Sequence, residues 1–175
     1  MSPDLAIVES VNASAPFGSA PADDAAESQF TIELMQQSDY RFEVRFDNPA
    51  VPPLLTDETA PLGGDAGPNP ARLLATAVAN CLAASLLFAM RKFKNEPEAM
   101  RAIATVSMTR NAQRRLRIGR ISVDLHVGVL AAELRMLHRI LDQFEDYCVV
   151  TQSVRAAIPV DVRVLDKAHI VLNPP

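Results

Sequence analysis

Two cysteines are the residues best equipped for chemistry in this chain. Cys81 lies in "PNPARLLATAVANCLAASLLFAM" and Cys148 in "FEDYCVVTQSV". A thiolate is a nucleophile, can be oxidised to a sulfenic acid, and can close a disulfide with a second thiol. Two cysteines are too few for the disulfide framework of a small secreted domain. The opening "MSPDLAIVES" lacks the basic start and unbroken apolar core of a signal peptide. A cytoplasmic, reducing location is therefore expected, where a cysteine pair is catalytic, redox-sensing or plain core. Free cysteine is also among the most buried residue types, so periodicity alone allows two inert core thiols. Activating a thiol needs a nearby cation or a helix N-terminus. Cys81 falls mid-helix, so the dipole of its own helix gives no help. Arg41, Arg45 and Arg72 are the candidate cations. Cys148 falls just before a helix start expected at Thr151.

The elements that must position these thiols can be read from local pattern. Asn69 can cap and Pro70 can open a long helix that runs to about Phe93, with Arg91, Lys92 and Lys94 at its C-terminal end. Within it, Leu73–Met90 carries no charge and reaches the lower length limit of a membrane helix. Thr76, Asn80 and Ser85 interrupt it and no aromatic belt flanks it, so a central buried helix is expected and no membrane. The face centred on Cys81 is mostly small, with Ala77, Ala84 and Ser85 beside Leu74, Val78 and Phe88. Ahead of the helix, "QFTIELMQQ" and "YRFEVRF" alternate with period two and flank a "SD" turn, which predicts a hairpin. Between hairpin and helix, residues 47–68 are rich in proline and glycine. They read as a long loop with a short extended piece at "PPLL".

After the helix, "RAIATVSMTR" and "RLRIGRISVDLHVGV" predict two strands joined at "NAQR", with a bulge at Gly119 where the phase slips. "AAELRMLHRILDQFEDY" predicts one amphipathic helix, with Leu134, Leu137, Leu141 and Phe144 on a stripe that Cys148 would continue. A short helix at "TQSVRAA", a strand at "PVDVRVL" and a further short strand at "AHIVL" complete the chain. This order makes an α+β fold. Residues 1–28 hold five acids and no lysine or arginine and read as a disordered acidic tail, leaving residues 29–175 as the domain.

Net charge is −4, which gives no basic signature for nucleic acid. Arg110, Arg114, Arg115, Arg117 and Arg120 cluster at a hairpin without the aromatics of a nucleic-acid surface. His126, His138 and His169 show no metal-ligand spacing, and "GPNPARL" lacks the ending of a phosphate loop. No metal and no cofactor are expected. His138, ten residues before Cys148, is a candidate base.

"LGGDAGPNPARLLATAVANCLAASLL" resembles the signature helix of the OsmC-like (OsmC/Ohr) proteins. "FEDYCVVTQSVRAAIPVDVRV" resembles that family's second cysteine segment. The resemblance spans about residues 29–166. It implies an intertwined homodimer whose long central helices are wrapped by sheets, with two sites at the interface. It also implies a thiol-dependent peroxidase acting on organic hydroperoxides or hydrogen peroxide. Cys81 would be the peroxidatic thiolate and Cys148 the resolving thiol. An external dithiol would be the reductant, and a hairpin arginine, Arg41 or failing that Arg45, would serve the thiolate. One position departs from the pattern. Where organic-hydroperoxide members carry a Glu that holds this arginine, the chain has Ala71, followed by Arg72. Three outcomes are open: Arg72 supplies part of the electrostatics, another acid such as Glu43 serves, or the activity is altered. The alternative function is a non-enzymatic dimer holding a small acyl or aromatic ligand beside Cys81.

Overall fold

Alternating residues at the start of the domain form a hairpin, as their pattern predicts. Strand β1, Ile32–Ser38, pairs antiparallel with β2, Arg41–Phe46. Asp39 turns the chain at φ 46°, a left-handed conformation that Asp tolerates better than most residues. The computed structural model describes residues 28–173, so the tail expected at 1–28 lies outside the described residues apart from Ser28. "PPLL" extends into a third strand, β3, Leu54–Thr56. It pairs with β2 in a register that sets Phe42 opposite Thr56.

Helix α1, Pro70–Lys92, starts where the capping signal places it: the Asn69 side chain accepts the Arg72 N–H at 3.0 Å. By length and composition α1 could cross a membrane. Here Val78, Leu82, Leu86 and Met90 are fully buried in the core instead. They meet Ile121, Val123 and Leu125 of a second sheet built from β4 (Arg101–Arg110), β5 (Leu116–His126) and β6 (Val160–Leu165). β4 and β5 are antiparallel; β5 and β6 are parallel. The predicted bulge is present. Ser107 faces Arg120 and Met108 faces Ile118, leaving Gly119 as the extra residue. A Cβ at Gly119 would lie 2.7 Å from Thr109 Cγ2, so a larger residue there would have to displace the Thr109 side chain.

Three local expectations are corrected. The single helix expected over "AAELRMLHRILDQFEDY" is broken into a 3-10 turn at Ala131–Glu133, helix α2 at Leu137–Gln143 and a 3-10 turn at Phe144–Tyr147. Asn95 is the cause. Its side chain accepts the Arg135 N–H at 2.7 Å and donates to the Arg135 carbonyl at 2.9 Å. Those backbone groups are lost to helical pairing, and Met136 turns to φ 55°. Helix α3 spans Val149–Arg155, two residues earlier than expected, with Cys148 itself at the N-cap position. The expected strand at "AHIVL" shrinks to one bridge, Leu165 to Val171. The buried Asp166 carboxylate accepts the N–H groups of Ala168 and Ile170 and folds that segment into a turn.

Among the described residues, two apolar surfaces have no cover. One is a stripe of α1 through Ala77, Ala84 and Phe88, the last 61% exposed. The other is the β1–β3 sheet, which presents Phe30, Ile32 and Leu34 to solvent.

Candidate active site

Cys81 sits in the middle of α1, half-buried against the core, and Cys148 is fully buried within it. The 3-10 turn before Cys148 and helix α3 after it both pack on α1. Phe144 and Ile140, fully buried, anchor the approach. Arg155 clamps the segment from the other side. Its guanidinium bonds the Glu145 carboxylate and reaches the Val160 carbonyl at 3.3 Å. The Cys148 N–H closes the turn on the Glu145 carbonyl at 3.0 Å. Two residues 67 apart in sequence are thereby brought side by side, both as free thiols.

The surroundings of Cys148 are specific. Burial pushes its thiol above the ordinary thiol range, and the adjacent Cys81 thiol pushes the same way. The Thr151 hydroxyl and backbone N–H oppose both. The Cys148 Sγ donates to Thr151 Oγ1 at 3.0 Å. At rest Cys148 is therefore a protonated thiol with a hydroxyl partner. Sequence reasoning treated Thr151 only as a helix start. The Cys-x-x-Thr spacing, which puts both residues on one side of a helical turn, was the signal available.

Arg41 opens β2, and its register neighbour across the sheet is Asp57, the residue after β3. Arg41 Nη2 lies 3.9 Å from Asp57 Oδ2. Asp57 is only 3% exposed. Its carboxylate also accepts the N–H groups of Glu58, Gly64 and Ala66 at 2.8, 3.0 and 3.1 Å. Those backbone bonds, with the Arg41 charge, hold it below the usual carboxylate range despite its burial. The Gly-rich loop wraps this carboxylate closely. A Cβ at Gly63 would sit 2.4 Å from Asp57 Oδ1, and one at Gly67 would sit 2.1 Å from the Leu55 carbonyl oxygen. Arg41 Nε is buried and without a hydrogen-bond partner among the described residues. With Ser38, Leu62 and Gly64 it borders a cleft of about 290 Å³.

The other candidates are placed elsewhere. Glu43 bonds Arg45, 2.7 Å from Nε, rather than Arg41. Arg72 is exposed at the start of α1 and lines an open groove of about 690 Å³ between α1 and β4, with Thr76, Asn80, Ala83 and Ala104. His138 is 89% exposed on α2 and pairs with Asp142 at 3.1 Å, whereas Cys148 is buried. Asp57, an acid for Arg41 that is neither Glu43 nor a residue of α1, was not identified from sequence.

The sequence matches the OsmC-like protein family over residues 63–163. No curated protein sequence matches it. Several solved structures share its fold. An OsmC-like protein of unknown function from Vibrio cholerae is 15% identical with a TM-score of 0.66, over 79% of this chain and 99% of that one. An organic hydroperoxide resistance protein from Legionella pneumophila is 16% identical with a TM-score of 0.60, over 79% and 98%. The organic hydroperoxide resistance protein of Bacillus subtilis is 16% identical with a TM-score of 0.59, over 78% and 98%.

Proposed function

The chain belongs to the OsmC-like family, and from that premise we propose that it is a thiol-dependent peroxidase reducing organic hydroperoxides or hydrogen peroxide. The observation that carries this reading is the juxtaposition of Cys81 and Cys148 as neighbouring free thiols, one partly accessible and one buried. A half-buried thiol can meet a substrate; a buried thiol behind it can meet only the product of that encounter. The Cys81 thiolate attacks one oxygen of the peroxide. The O–O bond breaks, an alcohol or water leaves, and Cys81 becomes a sulfenic acid. Cys148 condenses with it to a disulfide and releases water. An external dithiol then restores both thiols by exchange.

Arg41 is proposed to polarise the peroxide and favour the thiolate, reaching Cys81 from a second copy of the chain. Two features support a homodimer. The β1–β3 sheet carries Arg41 on a unit with little packing against its own helices. The uncovered α1 stripe and the groove beside it also form one continuous surface, mostly Ala, Thr and Asn beside Phe88 and Arg72, suited to a second helix. That continuity favours a second copy over a small ligand as occupant of the groove.

The test is consumption of cumene hydroperoxide and hydrogen peroxide with excess dithiol, for wild type, Cys81→Ser and Cys148→Ser. Turnover by wild type that vanishes in Cys81→Ser is the expected result. A folded wild type with no turnover would overturn the peroxidase and leave the ligand-binding dimer as the better account.

A further inference from the structure

Thr151 behaves unlike Thr76 and Ser153, hydroxyl residues of α1 and α3. Serine and threonine within helices commonly bond back to the carbonyl four residues earlier. Thr76 does so, donating to the Arg72 carbonyl at 2.8 Å, and Ser153 does so with the Val149 carbonyl at 2.8 Å. The Thr151 hydroxyl instead meets the Cys148 sulfur at 3.0 Å. Both groups are fully buried. A hydroxyl in an apolar core needs a partner, and the partner here is the thiol.

We propose that Thr151 is a positioning residue for the resolving thiol: it holds Cys148 Sγ toward Cys81 and steadies that sulfur as it attacks the Cys81 sulfenic acid. The inference rests on the peroxidase reading and deepens it. In the step concerned, an S–S bond forms and the S–O bond of the sulfenic acid breaks. The Cys148 sulfur is oxidised and the Cys81 sulfur reduced. The thiol proton leaves with the displaced hydroxide as one molecule of water, so no further oxidant or reductant is needed. At rest the thiol donates to the Thr151 oxygen. As negative charge gathers on the sulfur, the hydroxyl rotates and donates in return, since its hydrogen is free to choose a direction. A hydrogen bond to a charged acceptor is roughly twice as strong as a neutral one, so the contact gains strength in the transition state.

Thr151→Val keeps the shape and removes the hydroxyl; Thr151→Ser keeps the hydroxyl and removes a methyl. Each variant, checked for folding by circular dichroism, is treated with one equivalent of cumene hydroperoxide without dithiol. Cys81 sulfenic acid is trapped with dimedone and counted by mass spectrometry, and disulfide is measured in parallel. In Thr151→Val, sulfenic acid should form at the wild-type rate while disulfide formation slows about tenfold, the size of one strengthened hydrogen bond. Under excess peroxide the same variant should accumulate Cys81 sulfinic acid. Thr151→Ser should resolve within about threefold of wild type, below the cost of losing the bond. A merely structural role would slow both steps or neither. Equal disulfide rates in Thr151→Val and wild type would overturn the inference alone. If Thr151→Val does not fold, a Thr151→Ser that resolves tenfold slowly would still overturn it. Absence of any sulfenic acid in Cys148→Ser would overturn the peroxidase reading itself, and this inference with it.

Discussion

Oxidation of the Cys81–Cys148 pair should stabilise the folded chain, and the size of the effect follows from where the two thiols lie. The bond would close a loop of 148 − 81 = 67 residues. In the chain-entropy account, a cross-link removes freedom from the unfolded chain in proportion to the logarithm of loop length, which for this loop gives about 4 kcal/mol at 25 °C. Native-state strain subtracts from that figure. The reduced thiols are neighbours in one packed core, with the Cys148 segment clamped by Arg155, Glu145 and the buried Phe144, so the melt reads how much of the entropic gain survives closing the bond. For a chain of 175 residues, 4 kcal/mol corresponds to a rise in melting temperature of about 8–16 °C.

The assay is a thermal melt of protein reduced with dithiol and of protein oxidised with one equivalent of peroxide and then desalted, at equal concentration. Equal concentration matters because dimerisation would also move the melting point. Cys148→Ser treated in the same way should show no rise. An oxidised form that melts at or below the reduced one would refute the reasoning. It would mean that the bond forms only by pulling the segment around Cys148 out of its packed position, so the thiols are not poised for each other.

Leu82→Ala, at a fully buried position of α1, should cost about 3 kcal/mol, read as a lower urea midpoint. His126 is held below the ordinary imidazole value, first by burial and then by Arg101 and His169. Its neutral form is the folded one, so its contribution is complete above pH about 6.5 and is lost as pH falls below that value. Melts from pH 8 to pH 5 should show this decline, and His126→Gln should flatten it. Asp57→Asn takes one oxygen from a carboxylate that gathers Glu58, Gly64, Ala66 and Arg41. Limited proteolysis within residues 58–67 should accelerate, and peroxide turnover should fall about tenfold, as is common when the partner orienting a site residue is removed. Phe88→Glu places a charge in the uncovered α1 stripe and should shift sedimentation from dimer to monomer; an unchanged species would sink the proposed interface.

What was legible in the sequence was local. Asn69 and Pro70 announce the start of α1 within four residues of chain, and alternation along "YRFEVRF" and "RAIATVSMTR" announces strands. Gly119 marks its own bulge because the slip in phase is visible beside it. What was not legible depended on a partner far along the chain. The break at Met136 is made by Asn95, forty residues earlier, and no pattern within "AAELRMLHRILDQFEDY" records it. The same limit explains the acid beside Arg41. Ala71 stands where the family resemblance expects an acid, and the acid named from local pattern, Glu43, lies on the same strand as Arg41. Asp57 becomes a candidate only once β3 pairs with β2 in the register Phe42 to Thr56, which sets Arg41 and Asp57 opposite each other. The consequence is mechanical. An acid at position 71 would tie the arginine to α1, the helix that carries Cys81. An acid at position 57 ties it to its own sheet and to the Gly-rich loop. In the proposed dimer, an arginine paired in that way, at 3.9 Å from Asp57, would travel with its sheet rather than with the helix that carries Cys81.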